Sequence, residues 1–137
     1  MLNLWMLIIN SAVRLWNKTM LGSQEEKILN SLMNVVSDRQ QMLANNLTNV
    51  NTPGYGGRRD IDFASVMTDL KGATPGQRID INRIIEKASF TDEAERPSYE
   101  KEMAAMFENQ LKYVILTRIN GHIYQHLEEA TQAGRAG

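Results

Sequence analysis

The 137-residue chain has no cysteine, which excludes disulfides, thiolate metal sites and a cysteine nucleophile. Charge of one sign is missing too. Fifteen Lys and Arg stand against 16 Asp and Glu, for a net charge of −1, and no basic cluster is longer than Arg58-Arg59, so nucleic-acid binding has no electrostatic basis. There are only two histidines, His122 and His126. Their i,i+4 spacing is that of a zinc pair, but the glutamate base between them is missing and no third ligand is indicated, so a solvated polar face is the reading. No serine has a histidine and an acid at a recognisable spacing. Gly54, Gly56 and Gly57 do not lie between a strand and a helix, and no lysine follows them as a phosphate loop requires. The expectation is a protein without cofactor, metal or small-molecule substrate, and not an enzyme.

Long apolar runs are scarce. Residues 1–9, MLNLWMLII, form the most hydrophobic segment, too short for a bilayer-crossing helix of about 20 residues. No Lys or Arg precedes the segment and no small-x-small cleavage site follows closely, so it is a poor secretory signal. Two readings stand: an interfacial or partner-binding helix with its Trp and Leu side chains buried in something, or a mis-called start, with the protein beginning at Met20. Everything recognisable begins at Met20, which favours the second.

What the chain does have is two long helical patterns. Ser23-Gln24-Glu25-Glu26 reads as a capping box, and the helix is predicted from about 24 to about 47. Its apolar seam contains Leu29, Leu32, Val36, Leu43 and Leu47, interrupted by polar Asp38, Arg39, Gln40 and Gln41. Asn45, Asn46, Asn49 and Asn51 suit a helix end, because short amides bond nearby backbone and tolerate left-handed conformations. Thr52 is pushed extended by Pro53, and Pro53-Gly54 fits the centre of a type II turn closed by Tyr55, with φ > 0 expected at Gly54. Gly56-Gly57 is expected to keep the next residues loose. Asp60 and Asp62 are expected to pair with Arg58 and Arg59 at a subunit boundary.

Downstream, Phe63, Val66, Met67 and Leu70 predict a short helix ending at Lys71-Gly72. The pattern then weakens: residues 78–82 alternate for one short strand's length, and TDEAERP reads as solvated loop. With little to bury, residues 72–97 are expected to stay mobile until a partner covers them. Ser98 is a plausible N-cap for a second helix from Tyr99 to about 131, with a stripe of Met103, Phe107, Leu111, Val114, Ile115, Ile119, Ile123 and Leu127, and a weak point at Gly121. The fold class expected is mainly α: long N- and C-terminal helices pairing as an antiparallel coiled-coil-like unit, with an irregular middle section of partial β character. The organisation divides into an extension (1–19), a first helix and turn (20–55), a variable middle (56–97) and a last helix and tail (98–137).

The run LANNLTNVNTPGY followed by RRDIDF resembles the N-terminal signature of the flagellar axial proteins of bacteria, and within them most resembles the FlgB family of rod proteins. A second match lies in the last helix, where Glu100 to Met103 (EKEM), Glu108 to Tyr113 (ENQLKY) and Leu116-Thr117 resemble the same family. The two matches cover somewhat under half of the chain. The turn and valine-aspartate pair expected before EKEM are absent, replaced by Glu95-Arg96-Pro97-Ser98-Tyr99. The resemblance implies a structural subunit of the basal-body rod that crosses the periplasm. It would be exported by the flagellar type III apparatus without a cleaved signal, and would self-associate and pack with other rod proteins and the membrane-ring adaptor. The expected interface comprises the two stripes, and the expected turn motif Asn46, Asn49, Thr52, Pro53, Gly54 and Tyr55. The alternative is a membrane-surface docking module anchored by the apolar N-terminus.

Overall fold

The computed structural model describes residues 2–74 and 76–135, with side-chain surroundings from residue 24 onward. The chain is mainly helical, in the order α1 (Leu2–Thr48), β1 (Arg58–Ile61), α2 (Phe63–Lys71), α3 (Ile81–Ala88), β2 (Ser89–Asp92) and α4 (Tyr99–Arg135). Helix α1 runs through the predicted capping box, so Ser23 does not open it; the amides of that turn find carbonyls in the turn before. The readings of residues 1–19 as an anchor or a mis-called start concern side chains outside the described ones. Among the described residues no helix is long and apolar enough to cross a membrane.

The organising element is α1. Leu29, Leu32, Val36, Arg39, Leu43 and Asn46 are all buried and recur at alternating intervals of three and four, the seam that one helix turns toward another. Opposite them lies α4, antiparallel: Glu102 meets Asn46, Asn109 meets Gln40, and Tyr124 meets Glu26. The pairing of the terminal helices is therefore as expected, but through a different face of α4. Its inward residues are Glu102, Asn109 and Leu116, with Ile123 packed part-buried behind them, each seven after the last. Apart from Ile123, the apolar stripe read from the sequence points elsewhere. A polar helix face can serve as a seam when most of its buried polar groups find partners, and sequence periodicity cannot show those partners.

The second flank of α1 is covered by the middle section. Asp62 caps α2, its carboxylate accepting from Ala64 and Ser65 N–H, and Val66 and Leu70 are buried against Leu29, Leu32, Val35 and Val36. Residues 78–82 do not form a strand. Asp80 caps α3 instead, and Ile81, Ile84, Ile85 and Ala88 give the short helix one apolar side that packs on the core. TDEAERP is not all loop either. Strand β2 pairs antiparallel with β1, Asp60 opposite Phe90 and Ile61 opposite Ser89, and Pro97 is buried. The segment read as having little to bury thus contributes Ala88 to the core, with Ile79, Ile81, Ile84 and Ile85 packed part-buried against it. An isolated two-stranded pair is marginal in water, so this one depends on α1.

Gly57 is not loose. Its φ is +88°, and a Cβ added there would lie 2.5 Å from the Asp92 carbonyl oxygen, because β2 crosses directly over it. Gly57→Ala should therefore lower stability by about 1–3 kcal/mol through backbone strain and the clash, read as a drop in melting temperature. Gly56→Ala, with open space around its Cβ, should stay within about 0.5 kcal/mol of the parent. Equal melting of the two variants would contradict the close approach.

Candidate assembly surface and its polar clamp

Asn46 is fully buried in the last turns of α1, where an unpartnered amide would be costly. Every valence of its side chain is used. Nδ2 donates to the Arg59 carbonyl at 2.6 Å and to Glu102 Oε2 at 3.0 Å. Oδ1 accepts from Arg59 N–H at 3.1 Å and Tyr55 O–H at 3.3 Å. Its amide pairs with β1 as a neighbouring peptide would, and ties three elements together: the end of α1, the strand after the turn, and the start of α4.

A charged cluster continues from it. Arg39 grips Asp60 with two bonds, Nε to Oδ1 at 2.7 Å and Nη2 to Oδ2 at 3.1 Å. Arg58 joins Asp60 (3.0 Å) to Glu102 (2.7 Å). The expected pairing of Asp60 with Arg58 is present, but inside the chain rather than at a subunit boundary, while Asp62 serves as a cap and Arg59 side chain is exposed. Burial pushes the Asp60 carboxyl up; the hydrogen bonds from Arg39 and from Ile61 N–H, with the charges of Arg39 and Arg58, outweigh it and hold the carboxyl below its usual value. Further along the pair, Asn109 Nδ2 donates to the Val36 carbonyl and to Gln40 Oε1, both at 2.9 Å. Lys101 and Glu95 pair at the surface near the start of α4.

Beside Arg39 and Asp60 opens a cleft of about 660 Å³, lined also by Phe63, Lys87, Phe90 and Glu108. Lys87 bonds Asp69 and Glu108 bonds Lys112. Among the described residues no three His, Cys, Asp or Glu group as a metal site. His122 and His126 are exposed, the latter 3.6 Å from Glu129.

The predicted interface residues separate into two sets. Leu29, Leu32, Val36 and Leu43 are buried by the chain's own elements, and Leu47 is part-buried; these fill the intramolecular core. Met103, Phe107, Leu111, Val114, Ile115 and Ile119 of α4 are all exposed, from 39% at Val114 to 68% at Phe107. Five of these six are four residues apart, and side chains so spaced stand as one inclined ridge along a helix. Lone exposed leucines are ordinary; a continuous ridge marks a contact surface. Half-exposed side chains of this size would gain on the order of 1 kcal/mol each on burial, enough together to matter for association.

The turn residues cluster at the clamp end. Tyr55 N–H bonds the Thr52 carbonyl at 3.3 Å, and Gly54 has φ +77°, as the type II turn over Pro53-Gly54 requires. Thr52 Oγ1 donates to Asn49 Oδ1. The asparagines do not act as left-handed caps: among the described residues no non-glycine has positive φ. Sequence reasoning named Asn46 as a turn residue and passed over Arg39, Glu102 and Asn109; the polar break in the α1 seam at Arg39 was the available signal. Gly121 leaves α4 unbroken.

Compared with known proteins, the chain matches no family model and no curated sequence.

Asn46→Asp keeps the shape of the side chain but removes both donors, stranding the Arg59 carbonyl and facing Glu102 with a second carboxylate. The expected loss is roughly 1–3 kcal/mol for each stranded acceptor, measured by urea unfolding. Asn45→Asp, on the exposed face one residue away, should change stability by less than about 0.5 kcal/mol. Equal effects would remove Asn46 from the clamp. For Asp60, a carboxyl lowered on folding contributes stability that is complete above its unfolded value, near 3.8, and is lost as pH falls through the lower folded value. Urea midpoints should therefore decline steeply below about pH 4, and Asp60→Asn should flatten that limb while weakening the protein at pH 7 by about 3–5 kcal/mol, because Arg39 is left buried without its partner. An unchanged acid limb in Asp60→Asn would assign the acid sensitivity to other groups.

Proposed function

We propose that this chain is a non-catalytic structural subunit of the bacterial flagellar rod, of the proximal, FlgB-like kind. In this reading it packs with other axial proteins and the membrane-ring adaptor into a tube across the periplasm that transmits torque to hook and filament. It is exported through the flagellar type III apparatus without a cleaved signal. The observation that carries the reading is the exposed apolar ridge of α4, on the same helix as the EKEM and ENQLKY runs that resemble the rod family. A helix 37 residues long that turns polar side chains inward and large apolar ones outward is suited to neighbours rather than to solvent.

Two further features support it. The residues of the resemblance meet in space: Asn46 of the asparagine run, Arg58 and Asp60 of RRDIDF, and Glu102 of EKEM form one cluster, so the two separated motifs have a common physical purpose. Among the described side chains, Leu29, Leu32, Val35, Val36 and Leu43 of α1 are by contrast consumed internally.

Deleting the gene in its source organism should abolish swimming and leave basal bodies without rods in electron micrographs, with rescue by the parent chain. Complementation with the double substitution Leu111→Glu and Ile115→Glu should fail to restore rods although the chain is exported. Intact rods in the deletion strain would overturn the axial reading.

A further inference from the structure

Of the chain's twelve asparagines, Asn120 alone is followed by glycine, and no aspartate is. An Asn-Gly pair is the dipeptide most prone to ring closure. Glycine carries no side chain to hinder its own nitrogen, and its backbone turns easily toward the preceding amide. Here the pair lies inside α4 (Tyr99–Arg135), and a helix protects it. Each amide in a helix is held by the carbonyl four residues earlier, and closure needs backbone angles outside the helix. Reaction therefore waits for local opening, whose cost depends on what holds α4 at this point.

Little holds it there. Leu116 is the last buried residue of α4, Ile123 packs only in part, and residues 124–135 are exposed. Beyond Asn120, one side-chain hydrogen bond crosses to α1 among the described residues, from the exposed Tyr124 O–H to Glu26 at 3.1 Å. Gly121 is exposed, with nothing within 4 Å of where a Cβ would stand. Asn120 is part-buried, and its Oδ1 is enclosed without a hydrogen-bond partner. The closed helix thus leaves that acceptor unsatisfied, and opening returns it to water. Fraying from the free end reaches the pair at the cost of one part-buried isoleucine and one exposed hydrogen bond.

We infer that Asn120 is a self-modifying site, at which the opened end of α4 closes chemically on itself. The Gly121 nitrogen attacks Cγ of Asn120. The N–Cγ bond forms, the Cγ–Nδ2 bond breaks, and ammonia leaves with the proton from the attacking nitrogen. Water then opens the succinimide at either carbonyl, leaving aspartate or isoaspartate at position 120. Isoaspartate lengthens the backbone by one methylene, so the regular hydrogen-bond ladder cannot run through it. The modification is a one-way loosening of residues 121–135 that leaves the Asn46 clamp in place.

Peptide mass mapping with enzymatic isoaspartate labelling tests this on the full chain, held for weeks at physiological temperature and pH. Product should accumulate at Asn120 and not at Asn45, Asn51 or Asn82, which are exposed but not followed by glycine. Gly121→Ala should slow it by at least about fivefold, the helix-propensity difference alone. Ile123→Ala removes the part-buried anchor and should speed it several-fold; Tyr124→Phe, which removes only the crossing bond, is the milder opening variant. In the aged chain, amides beyond Gly121 should exchange faster and those beside Glu102 as before. Three results would overturn the inference: product at Asn120 no faster than at the exposed asparagines, a parental rate in Gly121→Ala, or no acceleration in either opening variant.

Discussion

One amide holds the two ends of this protein together. Asn46 is surrounded by four hydrogen-bonding atoms and satisfies each, and its neighbours Glu102, Arg58, Asp60 and Arg39 extend the same network to the middle of α1. Burying a network like this gains little net energy over an apolar replacement, while leaving it half-made is severely unfavourable. It therefore acts less as glue than as a gauge. The register of α1 against α4 and the seating of β1 on both let all four hydrogen bonds of the Asn46 side chain form, and the strand pair, α2 and α3 are placed by that choice.

The register in turn decides which side of α4 is left over. With Glu102, Asn109 and Leu116 turned toward α1, the side chains of Met103, Phe107, Leu111, Ile115 and Ile119 are carried to the outside. Had hydrophobicity alone set the pairing, these would have been buried and the polar residues exposed. Specific polar contacts keep the apolar row available for another molecule. Core formation falls to α1, whose two flanks take α4 on one side and the middle section on the other.

Much of this was legible in the chain. The two long helices, the turn at Pro53-Gly54 and the short helix ending at Lys71-Gly72 follow from local chemistry, periodicity and glycine's tolerance of positive φ; all are present, though the first helix begins at Leu2 and not near residue 24. What was not legible depended on partners distant in sequence. Arg39 looked like a break in a seam because its carboxylate partner is 21 residues away. The pairing face of α4 looked solvent-exposed because its acceptors and donors are on a helix more than 50 residues earlier. The short helix α3 was missed although Asp80 and the apolar spacing of Ile81, Ile84, Ile85 and Ala88 announce it; alternation over 78–82 masked the longer period. Gly57 seemed a flexible spacer because nothing local shows that β2 crosses it.

The placement of the clamp makes the helix pair unequal along its length. At the Asn46 end the two helices are joined by buried polar bonds. Toward the other end Leu116 is the last buried residue of α4, Ile123 packs only in part, and residues 124–135 are all exposed. Twelve helical residues span about 18 Å, and a segment that short is marginal as a free helix. Amide exchange would consequently run in a gradient, slow beside Glu102 and fast beyond Ile123. The protein is a rigid head with a yielding tip, whose final three turns can change pitch or direction without disturbing the packed core.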